Sequence, residues 1–182
     1  MVTGWKLGNV CSSKINELLV IMERNHDKQT KVVRYFGSTE KQSIQFNYQS
    51  QPLYSSGGVK FITENRNMDI CLSDNKAGAV VVVDQAGEHR FTYTGSSTTR
   101  KPFNPYDITT DSLSWILIAD KNNDSIHILD QNGKFLRFIN SSNCDLKEPF
   151  RLCIGNNDYL FVAEWSSNIV KKIRYHANSG MV

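Results

Sequence analysis

The chain repeats itself along its length, and this periodicity restricts its fold more than any other feature. Moving the segment Val59–Gly87 forward by 46 residues lays it without a gap on Pro105–Gly133, with apolar, acidic and turn positions matched. A further shift of 44 residues lays Pro105–Asp120 on Pro149–Glu164. Internal periods of about 20 to 50 residues are typical of repeat architectures, in which each copy is one small supersecondary unit. Three copies of such a unit are therefore visible.

A fourth, more diverged copy precedes these three. Its apolar run is Leu18–Met22 and its next strand is Lys31–Tyr35, with a longer loop over Glu23–Thr30 between them. The last copy stops at Tyr175, before an outermost strand. The approximate units are residues 1–53, 54–99, 100–145 and 146–175, followed by a C-terminal tail at 176–182.

Short strands separated by turns fill each unit, and no segment has the pattern of a helix of ten or more residues. Ile116–Ala119 is apolar at every position, as expected of a middle strand covered on both faces. Ile126–Leu129 and Lys134–Ile139 flank a turn that ends in an Asn-Gly pair, which indicates a hairpin. Three or four such strands bury both faces only between like neighbours. The sequence therefore predicts an all-β fold, a β-propeller of about four blades.

The repeat resembles one propeller family in particular. The residues that carry this resemblance to the NHL repeat are Ile116–Asp120, Asn122, Ile126, Ile128, Asp130 and Gly133. Lys31–Tyr35, Asp69–Cys71, Ile126–Asp130 and Leu160–Glu164 together look like the C-terminal NHL region of tripartite-motif (TRIM) proteins. No Trp-Asp or Gly-His pair recurs as in WD40 repeats. The resemblance covers nearly the whole chain and implies a normally six-bladed propeller, so we expect an incomplete one.

The resemblance implies a binding module. NHL propellers of TRIM proteins select partners for ubiquitin transfer or, in some members, bind RNA. The RING ligands that ligase activity needs are absent from this sequence, so we expect no enzyme here, although a parent protein could be an E3 ubiquitin-protein ligase. The predicted partner is a protein or ubiquitination substrate. Single-stranded RNA is the alternative, and a metal-dependent propeller hydrolase or lyase is a third hypothesis.

Composition and charge narrow the classes of protein to which the chain can belong. The 182 residues are 40% hydrophobic and 21% charged, which is ordinary for a globular protein. No run approaches the roughly 18 apolar residues of a membrane span, and no secretory signal is recognisable, so we expect a cytoplasmic protein. The net charge of +3 lacks the dense basic stripe of a dedicated nucleic-acid binder. Unpaired edges of an incomplete propeller would favour self-association.

Cysteines and histidines give no metal, cofactor or catalytic pattern. The cysteines are Cys11, Cys71, Cys144 and Cys153, and the histidines are His26, His89, His127 and His176. The cysteines form no C-x-x-C pair, so we expect reduced and mostly buried thiols. The histidines share no repeat position, and no G-x-S-x-G motif is present, so we predict no catalytic triad. His127 is expected to be a packed or edge residue within a strand.

Acidic residues recur in three copies, at Asp74, Asp120 and Glu164, after what we take to be the inner strand. Such carboxylates could ring an axial metal, but we favour acceptors for backbone N–H groups of the following loop. The loop Asp120–Asp124 begins like a calcium loop. It departs from one at Ser125 and Gln131, where glycine and glutamate are needed. We therefore expect a strand-connecting loop.

Seven residues are predicted to form a binding surface on one rim of the propeller. They are Lys76, Arg100, Lys101, Tyr106, Lys121, Arg151 and Trp165. Loops held by a rigid scaffold commonly carry binding residues, and the turns at Gly87 and Gly133 are expected at the opposite end. Tyr106 aligns with Phe150, which favours packing, whereas Trp165 is not required by the repeat and is the better binding candidate. Acidic neighbours favour a protein ligand over RNA.

Overall fold

The computed structural model describes residues 4–24 and 26–176, and within these ranges the chain is built from β-strands. The first sheet contains β1 (Lys6–Ser12), β2 (Leu18–Arg24), β3 (Gln29–Phe36) and β4 (Thr39–Ile44). The second contains β5 (Lys60–Glu64), β6 (Ile70–Asp74), β7 (Ala79–Val83) and β8 (His89–Tyr93). The third contains β9 (Pro105–Thr110), β10 (Ile116–Asp120), β11 (Ser125–Leu129) and β12 (Phe135–Asn140). The fourth contains β13 (Pro149–Ile154), β14 (Tyr159–Glu164) and β15 (Val170–Arg174).

Each sheet is an antiparallel meander whose strands pair in chain order. The first strands of neighbouring sheets, β1, β5, β9 and β13, lie against one another, so the sheets stand side by side as blades around a common axis. These first strands are the innermost ones. The arrangement confirms the predicted all-β propeller with about four blades, the last of which has three strands in the described part of the chain.

Alternating side chains explain why the middle strands are apolar at every position. Ile116 and Ile118 of β10 pack against the second blade, whereas Leu117 between them packs against the fourth. Successive residues of a strand point to opposite faces, and a middle blade has a neighbour on each face. The residues of β6, β7, β10 and β11 are accordingly all buried. The expectation of a doubly covered middle strand is confirmed.

The two outer faces of the stack have no neighbouring blade within the described chain. On the first blade, a small cluster of Val20, Met22 and Val33 lies beneath Trp5 and Tyr35. Nearby, Leu7, Val10 and Leu18 are 65%, 57% and 41% exposed. On the fourth blade, Ile169 and Val170 are 49% and 68% exposed. Apolar surface of this kind is normally covered in a closed propeller.

The blades have two distinct rims. Where each first strand begins, the second strand ends, since Lys60 pairs with Asp74 and Pro105 with Asp120. We call this end the upper rim; it carries the connectors between blades and the loops between second and third strands. The turns that end at Gly87 and Gly133 lie at the other end, the lower rim, and each glycine N–H donates to the aspartate carbonyl three residues earlier at 3.0 Å. The predicted hairpin turns are confirmed.

Three further expectations are tested by the fold. The loop predicted over Glu23–Thr30 is shorter, because β2 and β3 stay paired as far as Arg24 and Gln29. The prediction of mostly buried thiols is wrong: all four cysteines are free, but only Cys71 is buried and Cys153 is exposed. Burial raises the pKa of the Cys71 thiol. No helix in the described part of the chain is long and apolar enough to cross a membrane. Residues 177–182 of the predicted tail lie outside the described residues.

Candidate ligand-binding site

Four acidic side chains occupy equivalent positions at the upper rim. They are Glu23, Asp74, Asp120 and Glu164, each in the second strand of its blade and paired with the start of the first. The predicted placement after the innermost strand is therefore wrong by one strand. The repeat also missed Glu23, which pairs with Lys6 as Asp74 pairs with Lys60.

These carboxylates tie the connectors to the blades. Asp74, Asp120 and Glu164 accept hydrogen bonds from the backbone N–H groups of Ser55, Asn104 and Lys147, at 2.7, 3.2 and 2.9 Å respectively. These donors precede the first strand of the same blade. Asp74 also accepts the backbone N–H of Ala77 in the following loop at 3.1 Å, so the predicted structural role is confirmed and extends to the preceding connector. Within residues 4–24 and 26–176, no group of three or more His, Cys, Asp or Glu side chains could hold a metal ion. The residues present do not fit an axial metal site.

The calcium-like loop is also occupied by internal bonds. Residues Lys121–Asn123 form a single 3₁₀ turn, and Asp124 follows in a left-handed conformation. The Asn122 Oδ1 atom accepts a hydrogen bond from the Asn104 Nδ2 at 2.9 Å, and Asp124 Oδ1 accepts the backbone N–H of Glu148 at 2.8 Å. The oxygens that would bind an ion thus hold the two adjacent connectors. This confirms a strand-connecting loop.

Three blades bring aromatic and basic side chains together at the upper rim. We call this group the rim cluster; it comprises Phe61, Tyr106, Lys121, Phe150, Arg151 and Trp165. Phe61, Tyr106 and Phe150 are each the second residue of an innermost strand, which sets the three rings at similar heights near the axis. Tyr106 and Phe150 lie 5.0 Å apart between ring centroids, and Phe150 and Trp165 lie 4.7 Å apart.

Lys121 lies over three of these rings. Its Nζ atom is 4.7 Å from the ring centroid of Trp165, 5.4 Å from that of Tyr106 and 5.8 Å from that of Phe150. An ammonium within about 6 Å of an aromatic face is attracted by the ring quadrupole. Among the described residues Lys121 has no carboxylate in salt-bridge contact. The rings therefore stabilise this charge and leave its N–H donors available.

Arg151 joins the second and fourth blades through the same cluster. Its guanidinium carbon lies 4.1 Å from the Phe61 ring centroid and 4.3 Å from that of Phe150. The side chain is exposed, and it too makes no salt bridge within the part of the chain that the structure describes. The Arg151 charge acts on Asp107: burial raises the pKa of this carboxyl, and two backbone hydrogen bonds and the Arg151 charge partly offset that rise.

The structure unites four of the seven predicted site residues: Tyr106, Lys121, Arg151 and Trp165. The backbone N–H groups of Lys121 and Trp165 donate to the carbonyls of Asn104 and Glu148, and Asn75 donates to Val59 in the same way in the second blade. Asn75, not Lys76, is therefore the structural equivalent of Lys121 and Trp165. Lys76 lies outside the cluster and donates to the Ser56 carbonyl at 2.8 Å. Arg100 and Lys101 line a separate cleft.

Sequence reasoning missed Phe61 because of two irregularities in the strands. In β9, residues 106 and 107 face Ala119 alone, and in β13 Phe150 is the extra residue opposite β14. A β-bulge inserts one residue, bends the strand and re-aims a side chain, and bulges occur often beside functional sites. The gapless shift of 46 residues aligns Phe61 with Asp107, whereas the bulge gives the matching rim position to Tyr106.

Comparison with known proteins supports the fold. No protein-family model and no curated protein sequence matches the chain. A protein of unknown function from Bacteroides caccae has a TM-score of 0.68 at 12% identity, covering 92% of this chain and 59% of that one. A virginiamycin B lyase from Staphylococcus aureus, solved with Quinupristin, has a TM-score of 0.67 at 14% sequence identity. The match covers 98% of this chain and 59% of the lyase. A protein described as a gluconolactonase has a TM-score of 0.58 at 15% sequence identity, and the match covers 93% of this chain and 60% of that protein.

These neighbours confirm the β-propeller and correct one prediction. The chain spans about three fifths of the length of the three structures. At such low identity they share the fold, and they support neither the NHL nor the TRIM part of the resemblance. The expectation that the chain is not an enzyme is corrected, because a lyase and a protein described as a gluconolactonase have this fold.

Proposed function

We propose that the chain supplies the substrate-binding rim of a propeller enzyme. In this proposal the rim cluster binds a small organic substrate that carries an anionic group next to a planar ring. The observation that supports it is the placement of Lys121 and Arg151 over aromatic rings from three blades, without carboxylate partners among the described residues. Cations on a surface usually face water or a carboxylate, so this arrangement favours an external anion.

The physical argument rests on how each group is held. Rings on one side of Lys121 and Arg151 partly desolvate the two charges, which strengthens charge-assisted hydrogen bonds to an incoming oxyanion. Trp165 is 57% exposed and packs against Phe150 in a tilted arrangement, so its exposed surface can contact a planar group. Because the supporting rings lie on innermost strands, the site is held in place before the ligand arrives.

The neighbours support an enzyme of this fold without identifying the substrate. One of them is a lyase solved with Quinupristin. This chain covers 59% of the length of that lyase. We therefore propose catalytic activity for a complete propeller, to which the rim cluster contributes the substrate-binding surface.

Calorimetry with 2-naphthoate as the probe tests the binding step. We expect Lys121→Gln and Arg151→Gln each to weaken binding about tenfold, which corresponds to about 1.4 kcal/mol. The neutral analogue 2-naphthylmethanol should bind more weakly than naphthoate. Lys172→Gln is the matched control, because Lys172 lies 4.1 Å from the Tyr159 ring centroid, outside the rim cluster. If Lys121→Gln, Arg151→Gln and Lys172→Gln all bound 2-naphthoate with equal affinity, the proposed site would be refuted.

Turnover is tested separately. The chain is incubated with Quinupristin and, in a second reaction, with a sugar lactone, and consumption is followed by liquid chromatography. We expect Arg151→Gln to reduce any turnover at least tenfold and Lys172→Gln to leave it unchanged. Turnover that does not respond to Arg151→Gln would place the reaction away from the rim cluster.

Partner recognition by the same cluster is a second candidate function, and the exposure of Trp165 favours it. The partner would be a protein, such as a ubiquitination substrate if the TRIM resemblance extends to function, or single-stranded RNA. For a protein partner captured with the chain, Trp165→Ala should cost about 2 kcal/mol or more. For RNA, Lys121→Ala should lower the slope of affinity against salt by about one unit. If the rim cluster only stabilises the fold, neither the loss of partner affinity nor the change in salt dependence is expected.

A further inference from the structure

A cleft lined mostly by polar side chains lies at the upper rim, outside the rim cluster. This polar cleft of about 480 Å³ is bounded by the connector that enters the third blade, the loop after β10 and the end of β12. Its lining includes Arg100, Lys101, Asn123, Ser125, Phe138 and Ser142. Small-molecule sites commonly occupy about 300 to 1,000 Å³, so the cleft is large enough for a small organic ligand.

The walls of the polar cleft are fixed by a reciprocal pair of hydrogen bonds. Asn123 accepts the backbone N–H of Lys101 at 2.9 Å and donates its Nδ2 to the Lys101 carbonyl at 3.1 Å. The same amide group donates to Asp120 at 2.8 Å. The connector is thereby anchored to the blade, and the side chains of Arg100 and Lys101 are carried by a backbone of defined position.

The charge of the lining is positive and unpaired. Neither Arg100 nor Lys101 forms a salt bridge with any carboxylate among residues 4–24 and 26–176. Asp124 is the acidic residue of the lining, and its Oδ1 atom accepts the backbone N–H of Glu148 at 2.8 Å. An anion entering the polar cleft would meet two cations and one carboxylate that is already engaged.

Ser125 supplies an independent indication of a ligand. It lines the polar cleft, is only 3% exposed, and its Oγ atom has no hydrogen-bond partner among the described residues. A buried hydroxyl without a partner is unfavourable, so such groups are uncommon in folded proteins and call for an explanation. A ligand oxygen that reaches Oγ would remove this cost.

We propose that the polar cleft binds a phosphorylated small molecule of about the size of a sugar phosphate. Arg100 and Lys101 hold the phosphate, because guanidinium and ammonium groups make the strongest hydrogen bonds to phosphate oxygens. The Ser125 hydroxyl bonds a sugar hydroxyl, and the half-buried Phe138 ring provides the apolar surface under the sugar. The site is separate from the rim cluster, since the ammonium of Lys121 faces Trp165.

Calorimetry of the full chain with glucose 6-phosphate, inorganic phosphate and glucose tests this proposal. We expect glucose 6-phosphate to bind most tightly, inorganic phosphate more weakly and glucose most weakly. The double variant Arg100→Gln with Lys101→Gln should weaken binding of glucose 6-phosphate at least tenfold. Lys147→Gln is the matched control, because Lys147 is an exposed cation on the next connector, outside the polar cleft.

A second variant separates binding from folding. Ser125→Ala removes the unpartnered hydroxyl, so it should leave thermal stability unchanged or raise it while weakening glucose 6-phosphate binding about threefold. No binding at millimolar ligand, or an equal loss in Lys147→Gln and in the Arg100 and Lys101 double variant, would overturn the proposal. Lys121→Gln should leave glucose 6-phosphate binding intact, so failure of this site and failure of the rim cluster are distinguishable.

Discussion

The carboxylate of Asp107 accepts a hydrogen bond from the backbone N–H of Leu152 at 2.8 Å, which joins the innermost strands of two neighbouring blades. The other carboxylate oxygen accepts the N–H of Ile108 at 2.9 Å. Innermost strands have a partner strand on one side only, so their free backbone donors need other acceptors. A buried side chain on β9 fills this role directly below the rim cluster.

We expect the stability of the protein to depend on pH through Asp107. Burial raises the pKa of this carboxyl in the folded state. The folded state therefore holds the proton more tightly than the unfolded state, and stability falls as pH rises from the unfolded pKa, about 3.9, through the folded one. Asp107→Asn keeps one acceptor and removes the charge, so its stability relative to the wild type should increase between pH 4 and pH 7.

Urea unfolding at several pH values measures this difference. Asp107→Ala serves as the comparison, because it loses the acceptor as well and should be less stable by about 1 to 3 kcal/mol. A constant difference between wild type and Asp107→Asn across this pH range would show that Asp107 does not titrate differently in the two states.

The fully buried His127 should be a major contributor to stability in the third blade. Its Nδ1 atom accepts from the Tyr93 hydroxyl at 2.8 Å when Nε2 carries the proton, and Nε2 then donates to Asp120 at 3.1 Å. Tyr93→Phe would leave Nδ1 without a partner, so we expect a loss of about 1 to 3 kcal/mol in the free energy of unfolding. Tyr159→Phe, on a partly exposed ring, is the control and should change little.

Gly133 is predicted to be required by a close contact between blades. It has φ +84°, and a Cβ atom placed on it would lie 2.6 Å from the Phe91 ring of the preceding blade. Gly37 also has a positive φ, +57°, but nothing lies within 4 Å of its Cβ position. Gly37→Ala should therefore cost about 1 kcal/mol from backbone strain alone, and Gly133→Ala clearly more. Similar midpoints for both variants in urea would contradict the contact.

The sequence pattern predicts the second and third strands well and the first strands poorly. Ile116–Ala119 is apolar because it is covered on both faces, so its period and burial can be read from the residues. The first strands line the axis and contain exposed and polar positions, as in β13, where Arg151 and Cys153 are exposed. For this reason the sequence pattern places the carboxylates on the wrong strand, although it shows their recurrence.

The candidate site could be predicted in part for a related reason. The repeat identifies Lys121 and Trp165, because each follows a second strand whose end is clear in the pattern. Phe61 was missed, since a bulge adds a residue to β9 without any signal in the composition of the segment. The polar cleft depends on Asn123 bonding to Lys101, a contact between residues 22 positions apart that no repeat pattern contains.

The open face of the first blade leads us to expect that a second copy of this chain docks there. Leu7, Val10 and Leu18 are exposed beside a depression of about 510 Å³ that Trp5 and Tyr35 also line. The fourth blade exposes Ile169 and Val170, so head-to-tail contact between copies would cover apolar surface on both.

Light scattering during size-exclusion chromatography should then show a mass that increases with concentration. Leu7→Lys combined with Val10→Lys should shift the protein toward the monomer, because burying a charge in an apolar contact is unfavourable. The control is Leu113→Lys, on a residue that is 55% exposed in the turn between β9 and β10, at the lower rim. A monomeric mass for the wild type at every concentration, together with a cooperative melt, would show that these apolar faces are stable in water without a partner.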